Sequence, residues 1–504
     1  MNESDMSRLS RRLKFFYGAG DTGFSLTYTT LDFLFAKFLL DIVGLPPTLA
    51  AASIFAGRTW DWINDPLVGF VSDRTRTRWG RRRPFLLFGA VPFGLAFILL
   101  WWVPPLASVT ALAVYYSLAY FLFDATATLV SVPYYALTPE LTPDYDERTS
   151  LNMYRMLFSI VAGMVAYLAP DLISLFGEPR TGHVVVAAIF AVIAALPLAG
   201  VYLTAQEKPE HQREAPSSDL GDLINSLMGW LQAHWLVGAI AAGLGLGWLI
   251  VWWGNGMMIF MGVLVFASGV IMRVFGYNRP FLFAMGIFLF TWTAVAVVVS
   301  ILPFFVQYWL GIPDRLTEVM ATVFVSALVW LPFWSWFAQR FSKRSAYVVG
   351  MLFWVAVQLA LISLQPGTPL PVVLALAALA GVGVSTAHII PFSMIPDALE
   401  WDELRTGTRR EGTYYSLVTL MNKVASSVAV PMALLLLDWG GYVPNLPQTD
   451  RSLWVIRGLV GPIPALLLLT GVICAAFYPL SREQHMRIRR LLARRQLRAG
   501  RTTG

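Results

Sequence analysis

The sequence predicts an all-α polytopic membrane protein, and three observations support this prediction. Of the 504 residues, 57% are hydrophobic and 13% are charged, about half the charged share of a soluble protein. Apolar runs long enough to cross a bilayer recur along the chain, and Lys and Arg concentrate on alternate loops. So apolar a surface belongs in lipid, and the net charge of +7 does not indicate nucleic-acid binding.

Fourteen stretches have the length and composition of membrane-spanning helices. They are residues 15–40, 48–72, 84–104, 107–135, 153–176, 183–204, 233–253, 257–275, 280–310, 316–339, 345–364, 370–395, 412–438 and 456–479. The residues before the first stretch are polar and basic, and no small-residue cleavage site follows it. We therefore expect the first span to be retained as an anchor.

The positive charges set the expected orientation. Only four arginines fall on the loops opposite to the two termini: Arg180, Arg315, Arg451 and Arg457. Because cytoplasmic loops carry the excess of Lys and Arg, we expect both termini to be cytoplasmic, in the plasma (bacterial inner) membrane. The basic tail, 481–504, is compatible with an amphipathic helix; it reflects the same bias or contacts lipid headgroups.

Two segments of the chain resemble each other and predict an internal repeat. Residues 132–141 and 390–399 share a Pro-aromatic pattern, and each is followed by a charged loop and a helix with one cation, Arg155 or Lys423. If 233–275 is an inserted helix pair, the other spans form a six-plus-six repeat, whose substrate site would lie between the halves. The expected domains are 1–205 (first bundle), 206–278 (linker and inserted pair), 279–480 (second bundle) and 481–504 (tail).

Charged residues inside the second predicted span indicate a functional site, because ionisable groups are unfavourable in hydrocarbon. Arg58, Asp61 and Asp65 share one helical face, with Asn64 beside them. Two carboxylates one turn apart suit a small hard cation, and without one they would repel until one took up a proton. The alternative is a structural Arg58–Asp61 ion pair with Asp65 hydrogen-bonded at the helix end.

Polar stripes at helical spacing follow two further spans. They consist of Asp21, Ser25, Tyr28 and Asp32 on the first span, and of Asp124, Thr128, Ser131 and Tyr135 on the fourth. We interpret them as walls of a shared water-filled cavity, with hydrogen bonding between helices as the alternative. Asp32 has a second alternative, an ion pair with Lys37. His388, among small residues of a late span, suits packing or ligand binding equally.

The loop after the second span resembles the major facilitator superfamily signature, which in that family is a cytoplasmic gating cluster of ion pairs. The matching residues are Gly69, Asp73, Arg74, Gly80, Arg81 and Arg82. Together with the motifs at 60–66, 132–134, 396–397 and 441–445, the chain resembles the glycoside–pentoside–hexuronide:cation symporters, the family of melibiose permease. The resemblance implies the major facilitator fold of two six-helix bundles, here with the extra helix pair between the halves.

The resemblance also implies site residues. The family's cation site matches Asp61, Asn64, Asp65 and Thr128, and its membrane-embedded cations match Arg155 and Lys423. The positions that hold the sugar in melibiose permease depart from the pattern: two carboxylates fall at Ser25 and Ser131, and two tryptophans fall at Tyr135 and His388. Asp32 and Asp124 lie about 10 Å nearer the outer face, at roughly 1.5 Å per residue, so the acidic site is hypothesised to have moved as a unit.

The sequence therefore predicts a monomeric symporter that couples a glycoside or related small carbohydrate to Na⁺ or H⁺ by alternating access. The predicted substrate-binding residues are Ser25, Tyr28, Asp32, Asp124, Ser131, Tyr135, Arg155, His388 and Lys423. An amphiphile such as a lysolipid is the alternative substrate. A membrane-bound enzyme and a non-transporting receptor are less favoured, since no catalytic triad or metal-spaced His cluster appears. We expect no cofactor, no nucleic-acid partner and no metal beyond a transported Na⁺.

Overall fold

The computed structural model describes residues 9–59, 61–75, 77–142, 145–205, 278–407, 411–480 and 482–502. Within these ranges the regular structure is helical, and the β interaction present is an isolated bridge between Thr77 and Gly80. The all-α prediction is confirmed there. The chain divides into two compact units, Met1–Gly245 and Leu246–Gly504.

The first unit is a bundle of α-helices with two π-helical segments, Leu31–Phe35 and Phe38–Val43, that prolong its second helix. The α-helices are α1 (Arg11–Ala19), α2 (Thr22–Thr30), α3 (Pro47–Thr59), α4 (Asp61–Arg74), α5 (Arg83–Trp101), α6 (Val109–Ala136), α7 (Thr138–Leu141), α8 (Tyr145–Ala166), α9 (Ala169–Ser174) and α10 (Pro179–Thr204).

Local sequence chemistry sets several of these boundaries. The side chains of Ser10 and Ser108 cap α1 and α6 by accepting hydrogen bonds from backbone N–H groups three residues later. Gly44 ends the second π-helical segment with a left-handed φ of 82°, which glycine adopts without steric penalty. Gly57 lets α3 pack against α6, because a Cβ there would meet the side chain of Tyr120 at 2.5 Å.

The second unit is also a bundle of α-helices. Its helices are α11 (Arg279–Phe304), α12 (Leu316–Arg340), α13 (Lys343–Leu361), α14 (Leu370–Thr406), α15 (Glu411–Trp439), α16 (Asp450–Val460), α17 (Pro462–Ala476) and α18 (Arg482–Thr502). A π-helical segment, Phe305–Trp309, prolongs α11, and a 3₁₀ turn, Pro313–Arg315, precedes α12. Trp334, Tyr347, Trp354 and Met394 lie in its buried core.

Nine helices of the described ranges are long and apolar enough to cross a membrane. They are Arg83–Trp101, Val109–Ala136, Pro179–Thr204, Arg279–Trp309, Pro313–Arg340, Lys343–Leu361, Leu370–Thr406, Met421–Trp439 and Asp450–Ala476. The first, second and fifth predicted spans also contain helices, but charged and polar residues interrupt their apolar runs. The chain is therefore an integral membrane protein. The predicted pair at 233–275 lies outside the described residues, so the total of fourteen stays a prediction.

Candidate functional site

Three of the four predicted cation-site residues meet between α4 and α6. The hydroxyl of Thr128 donates to Oδ1 of Asp65 at 3.3 Å, and both Asn64 and Thr128 are buried. The fourth, Asp61, is the first residue of α4, and its side chain lies outside the described part of the structure. A carboxylate, an amide and a hydroxyl offer the oxygen ligands that a small hard cation prefers. Thr128 would rotate its hydrogen away from Asp65 to present a lone pair to such an ion.

Hydrogen bonds connect the predicted cation-site residues to residues predicted to bind substrate. The amide of Asn64 donates to the backbone carbonyl of Asp124 at 3.4 Å, and the hydroxyl of Tyr28 donates to the carboxylate of Asp124 at 3.4 Å. Asp124 is buried. Hydrogen bonds thus join the first, second and fourth spans of the unit into one polar network.

Arg58 and Asp32 form an ion pair that the sequence did not predict. Arg58 donates through Nη2 to Asp32 and through Nε to the hydroxyl of Tyr120 at 2.6 Å. Lys37, the alternative partner for Asp32, contacts Asp41, one turn later on its own helix. The Asp32 side chain stays 44% exposed, against 10% for Arg58, so the carboxylate remains accessible while it holds the buried guanidinium.

A second polar cluster surrounds Arg155 on α8. Its guanidinium carbon lies 5.0 Å from the ring centroid of Tyr135, and the side chain interacts electrostatically with Asp21 and Tyr17. Asp21 is buried and also interacts with Tyr135 and Ser159. Arg155 therefore lies in the electrostatic field of a buried carboxylate. Asp21 is not among the predicted substrate-binding residues. Its position one turn before Ser25 in the polar stripe is the sequence feature that could have identified it.

The two serines at the sugar-holding positions of melibiose permease differ in their surroundings. The hydroxyl of Ser25 donates to the backbone carbonyl of Ser159 at 2.6 Å, so this side chain joins α2 to α8. Ser131 is half-buried on α6. The hydroxyl of Ser25 is thus used in a hydrogen bond between helices, which is the alternative interpretation of the polar stripes.

The remaining predicted substrate residues lie on two helices of the second unit. Nδ1 of His388 lies 2.9 Å from the carbonyl of Val384, so the neutral ring carries its proton there and leaves Nε2 as an acceptor. The ring packs edge-on against Trp292 at 5.1 Å. Trp292 has a buried indole N–H without a hydrogen-bond partner among the described residues. Lys423 is half-buried on α15, and Ser427 donates to its carbonyl at 2.6 Å.

Two arginines of the gating motif form ion pairs with a carboxylate on α7, the short helix that follows α6. Arg81 and Arg82 both contact Glu140, the second at 3.1 Å. In the second unit Lys343 contacts Asp397 at 2.7 Å. Aligned on Pro133 and Pro391, Glu140 and Asp397 lie one position apart near the ends of segments 132–141 and 390–399. Their cations come from the loop after the second predicted span of each half. Gly80 adopts a φ of 117°; the side chains of the other motif charges, 73 and 74, lie outside the described part.

A family profile described as MFS/sugar transport protein matches residues 16–249 and 266–482. The chain belongs to this family. An uncharacterised symporter of Synechocystis sp. is 35% identical over 530 residues, covering 96% of each chain. A sodium-dependent lysophosphatidylcholine symporter of Danio rerio is 29% identical, covering 96% of this chain and 90% of its own. A sphingosine-1-phosphate transporter of Mus musculus is 27% identical, covering 92% and 88%.

Solved structures support the major facilitator fold for this MFS protein. The xylose transporter XylE of E. coli, in an inward-open conformation, aligns with a TM-score of 0.59 at 14% identity, covering 92% of this chain and 94% of its own. A peptide transporter in complex with sulfate aligns with a TM-score of 0.63 at 14% identity, covering 97% and 99%. At this identity the likeness concerns the fold. The relatives are transporters, as the sequence predicts.

Replacing Glu140 with Gln should lower the thermal unfolding midpoint of this MFS protein clearly. The change leaves Arg81 and Arg82 without the buried carboxylate that they share, and breaking a buried ion pair costs about 3–5 kcal/mol. Glu318→Gln is the control, because its pair with Arg315 is exposed and such pairs contribute about 0–1 kcal/mol. Thermal unfolding in detergent measures both. Equal shifts for the two variants would refute a stabilising role for the Glu140 cluster.

Proposed function

We propose that this protein is a secondary active symporter that couples an organic substrate to Na⁺ or H⁺ by alternating access. The observation that carries the proposal is the contact between Asp65 and Thr128, beside Asn64 and one hydrogen bond from the Asp124 segment. Asp61 completes the proposed cation site from the start of α4. We also place the chain with the glycoside–pentoside–hexuronide:cation symporters, on the motifs it shares with them.

Coupling follows from the shared network. Two carboxylates one turn apart are unfavourable until a cation neutralises them, and the cation then draws α4 and α6 together through Asp65 and Thr128. Because Asn64 and Tyr28 both bond Asp124, that shift alters the residues proposed to bind substrate. By linkage, substrate raises the affinity for the cation by the same factor. Two relatives from Danio rerio are sodium-dependent lysophosphatidylcholine symporters, which favours Na⁺ as the coupling ion.

The first candidate substrate is an amphiphile with a phosphate-bearing head, such as a lysophospholipid. Relatives that match at least 92% of this chain are named for lysophosphatidylcholine and sphingosine-1-phosphate. Arg155 of the first unit and Lys423 of the second are intramembrane cations, and such groups suit a phosphate. Ser25, at a sugar-holding position of the family, is bonded to the backbone instead.

The second candidate is a glycoside, favoured by the aromatic and hydroxyl groups that remain available. Tyr135 is 42% exposed, and an exposed ring beside Arg155 can pack against a sugar face. His388 offers an acceptor at Nε2 and Trp292 a buried donor, a combination that a hydroxyl group satisfies. The family description also names sugar transport.

Uptake into proteoliposomes decides between these candidates. Protein is reconstituted in phosphatidylcholine vesicles with an inward Na⁺ gradient, an inward proton gradient or neither. For the lysolipid, albumin extracts fluorescent lysophosphatidylcholine from the outside of the vesicles, and the fraction that it cannot extract reports transport. For the glycosides, uptake of a radiolabelled panel is measured by filtration. We expect cation-dependent protection of the lysolipid, which empty vesicles and the Asp65→Asn variant lack. Symport would be refuted if uptake of either substrate were the same with the Na⁺ gradient, with the proton gradient and with neither.

We further propose that the protein works as a monomer in the plasma membrane with both termini cytoplasmic. The excess of Lys and Arg on the loops that share a side with the termini supports this orientation.

A further inference from the structure

The C-terminal helix, α18, is docked onto the second unit along one face. Ile488 is 6% exposed and belongs to the hydrophobic core, with Leu492 packed against it. Nε2 of His485 lies 2.8 Å from Glu400, and Arg482 donates to the carbonyl of Arg340 at 3.1 Å. The helix is therefore held beside the ends of α12 and α14, directly after the last membrane-spanning helix.

The opposite face of α18 carries arginines and two apolar side chains. We name it the arginine face, and it consists of Met486, Arg487, Arg490, Leu491 and Arg494, all exposed. Their spacing of three or four residues places them along one side of a helix. Within the described part of the chain, the three arginines make no hydrogen bond or ion pair. Arg489, by contrast, points to the docked side, 3.8 Å from Glu400.

We propose that the arginine face binds anionic phospholipid headgroups of the adjacent leaflet. The helix begins a few residues after Ala476, the end of the last span, so it lies at the membrane surface. A guanidinium binds phosphate oxygens in bidentate geometry, and clustered cations next to a membrane span attract anionic lipid. Met486 and Leu491, 42% and 41% exposed, supply the apolar contact that lets an amphipathic helix settle between headgroups.

A lipid surface fits this face better than a free phosphate does. Three arginines spread over two helical turns span about 10 Å, at roughly 1.5 Å per residue, which exceeds the size of one phosphate ion. A row of headgroups can engage all three at once. A free anion would also offer no apolar contact to Met486 or Leu491.

The test compares bound lipids on the purified full-length protein. Native mass spectrometry counts phosphatidylglycerol and phosphatidylcholine retained from an equimolar mixture. The test variant carries Arg487→Gln, Arg490→Gln and Arg494→Gln together. The matched control carries Arg180→Gln, Arg315→Gln and Arg451→Gln, three exposed arginines in the first turns of other helical segments. We expect wild type and control to prefer phosphatidylglycerol, and the test variant to lose that preference at least fivefold. Equal losses in the two triple variants would overturn the proposal.

Two further arms identify the source of the phosphate and protect against misfolding. Inorganic phosphate at the lipid concentration should leave phosphatidylglycerol bound; displacement by it would show a free-anion site and overturn the proposal. If the test variant elutes as aggregate, the single variant Arg490→Gln is measured instead, with a loss of about twofold expected. An unchanged lipid ratio in that folded variant would also count against the arginine face.

Discussion

Substitution of Asp65 by Asn is expected to abolish accumulation of substrate against a gradient while the protein remains folded. Asparagine keeps the shape of the side chain and removes the charge that the proposed cation site requires. Thr128, whose hydroxyl lies 3.3 Å from Asp65, cannot replace that charge. Affinity for the cation should fall at least tenfold, and substrate binding should lose its dependence on Na⁺ or pH, because a ligand that binds two states equally shifts neither.

The measurement is the dissociation constant for substrate with and without cation, in wild type, Asp61→Asn and Asp65→Asn. Asp171→Asn is the control, since this residue is an exposed acid at the start of α9 and its loss should leave cation stimulation intact. Exchange of substrate down its own gradient should survive in the site variants. If cation stimulation persists unchanged in both, the ion binds elsewhere, and Asp124 and Asp32 become the next candidates.

The parts of the site that follow from sequence are those fixed by helical spacing. The assignment of Thr128 to the cation site follows from the family resemblance, whereas Tyr28 and Asp124 are placed on stripes whose side chains the structure joins. Such predictions succeed because a regular helix fixes which residues share a face.

The contacts that sequence did not predict depend on how helices approach one another. Asp32 has two candidate partners, Arg58 and Lys37. Lys37 pairs with Asp41, because residues one turn apart are neighbours on a helix. Ser25 reaches the carbonyl of Ser159 because α2 and α8 come close at Gly163, where a Cβ would lie 3.4 Å from the serine hydroxyl. No periodicity of the sequence encodes that distance.

Trp292 is a further residue that the sequence could not single out. It stands in an apolar span among other aromatic residues, where a tryptophan is expected for packing alone. Its significance comes from the buried N–H and from the edge-on contact with His388, both of which require the fold.

Substitution of Asp21 by Asn should destabilise the protein by about 1–3 kcal/mol, because it removes a buried carboxylate that interacts electrostatically with Arg155. Asp21 is buried and Arg155 is its electrostatic partner, so the change leaves a guanidinium at membrane depth without its counter-charge. Transport should fall with stability in this variant. The double variant Asp21→Asn with Arg155→Gln should regain most of the stability, because no uncompensated charge remains, but it should not regain substrate binding if Arg155 holds the substrate.

A double-mutant cycle on these two residues separates a structural pair from a substrate-binding one. Thermal unfolding gives the coupling energy, expected to exceed about 1 kcal/mol for groups in one network, and a binding assay with lysophosphatidylcholine gives the affinity of each folded variant. Lys14 and Glu147, paired at 2.9 Å with about an eighth of each side chain exposed, provide a comparison cycle away from the proposed substrate residues. That cycle should show coupling without loss of substrate affinity. Additive stability changes for Asp21 and Arg155 would refute the pair, and full substrate affinity in the double variant would remove Arg155 from the proposed site.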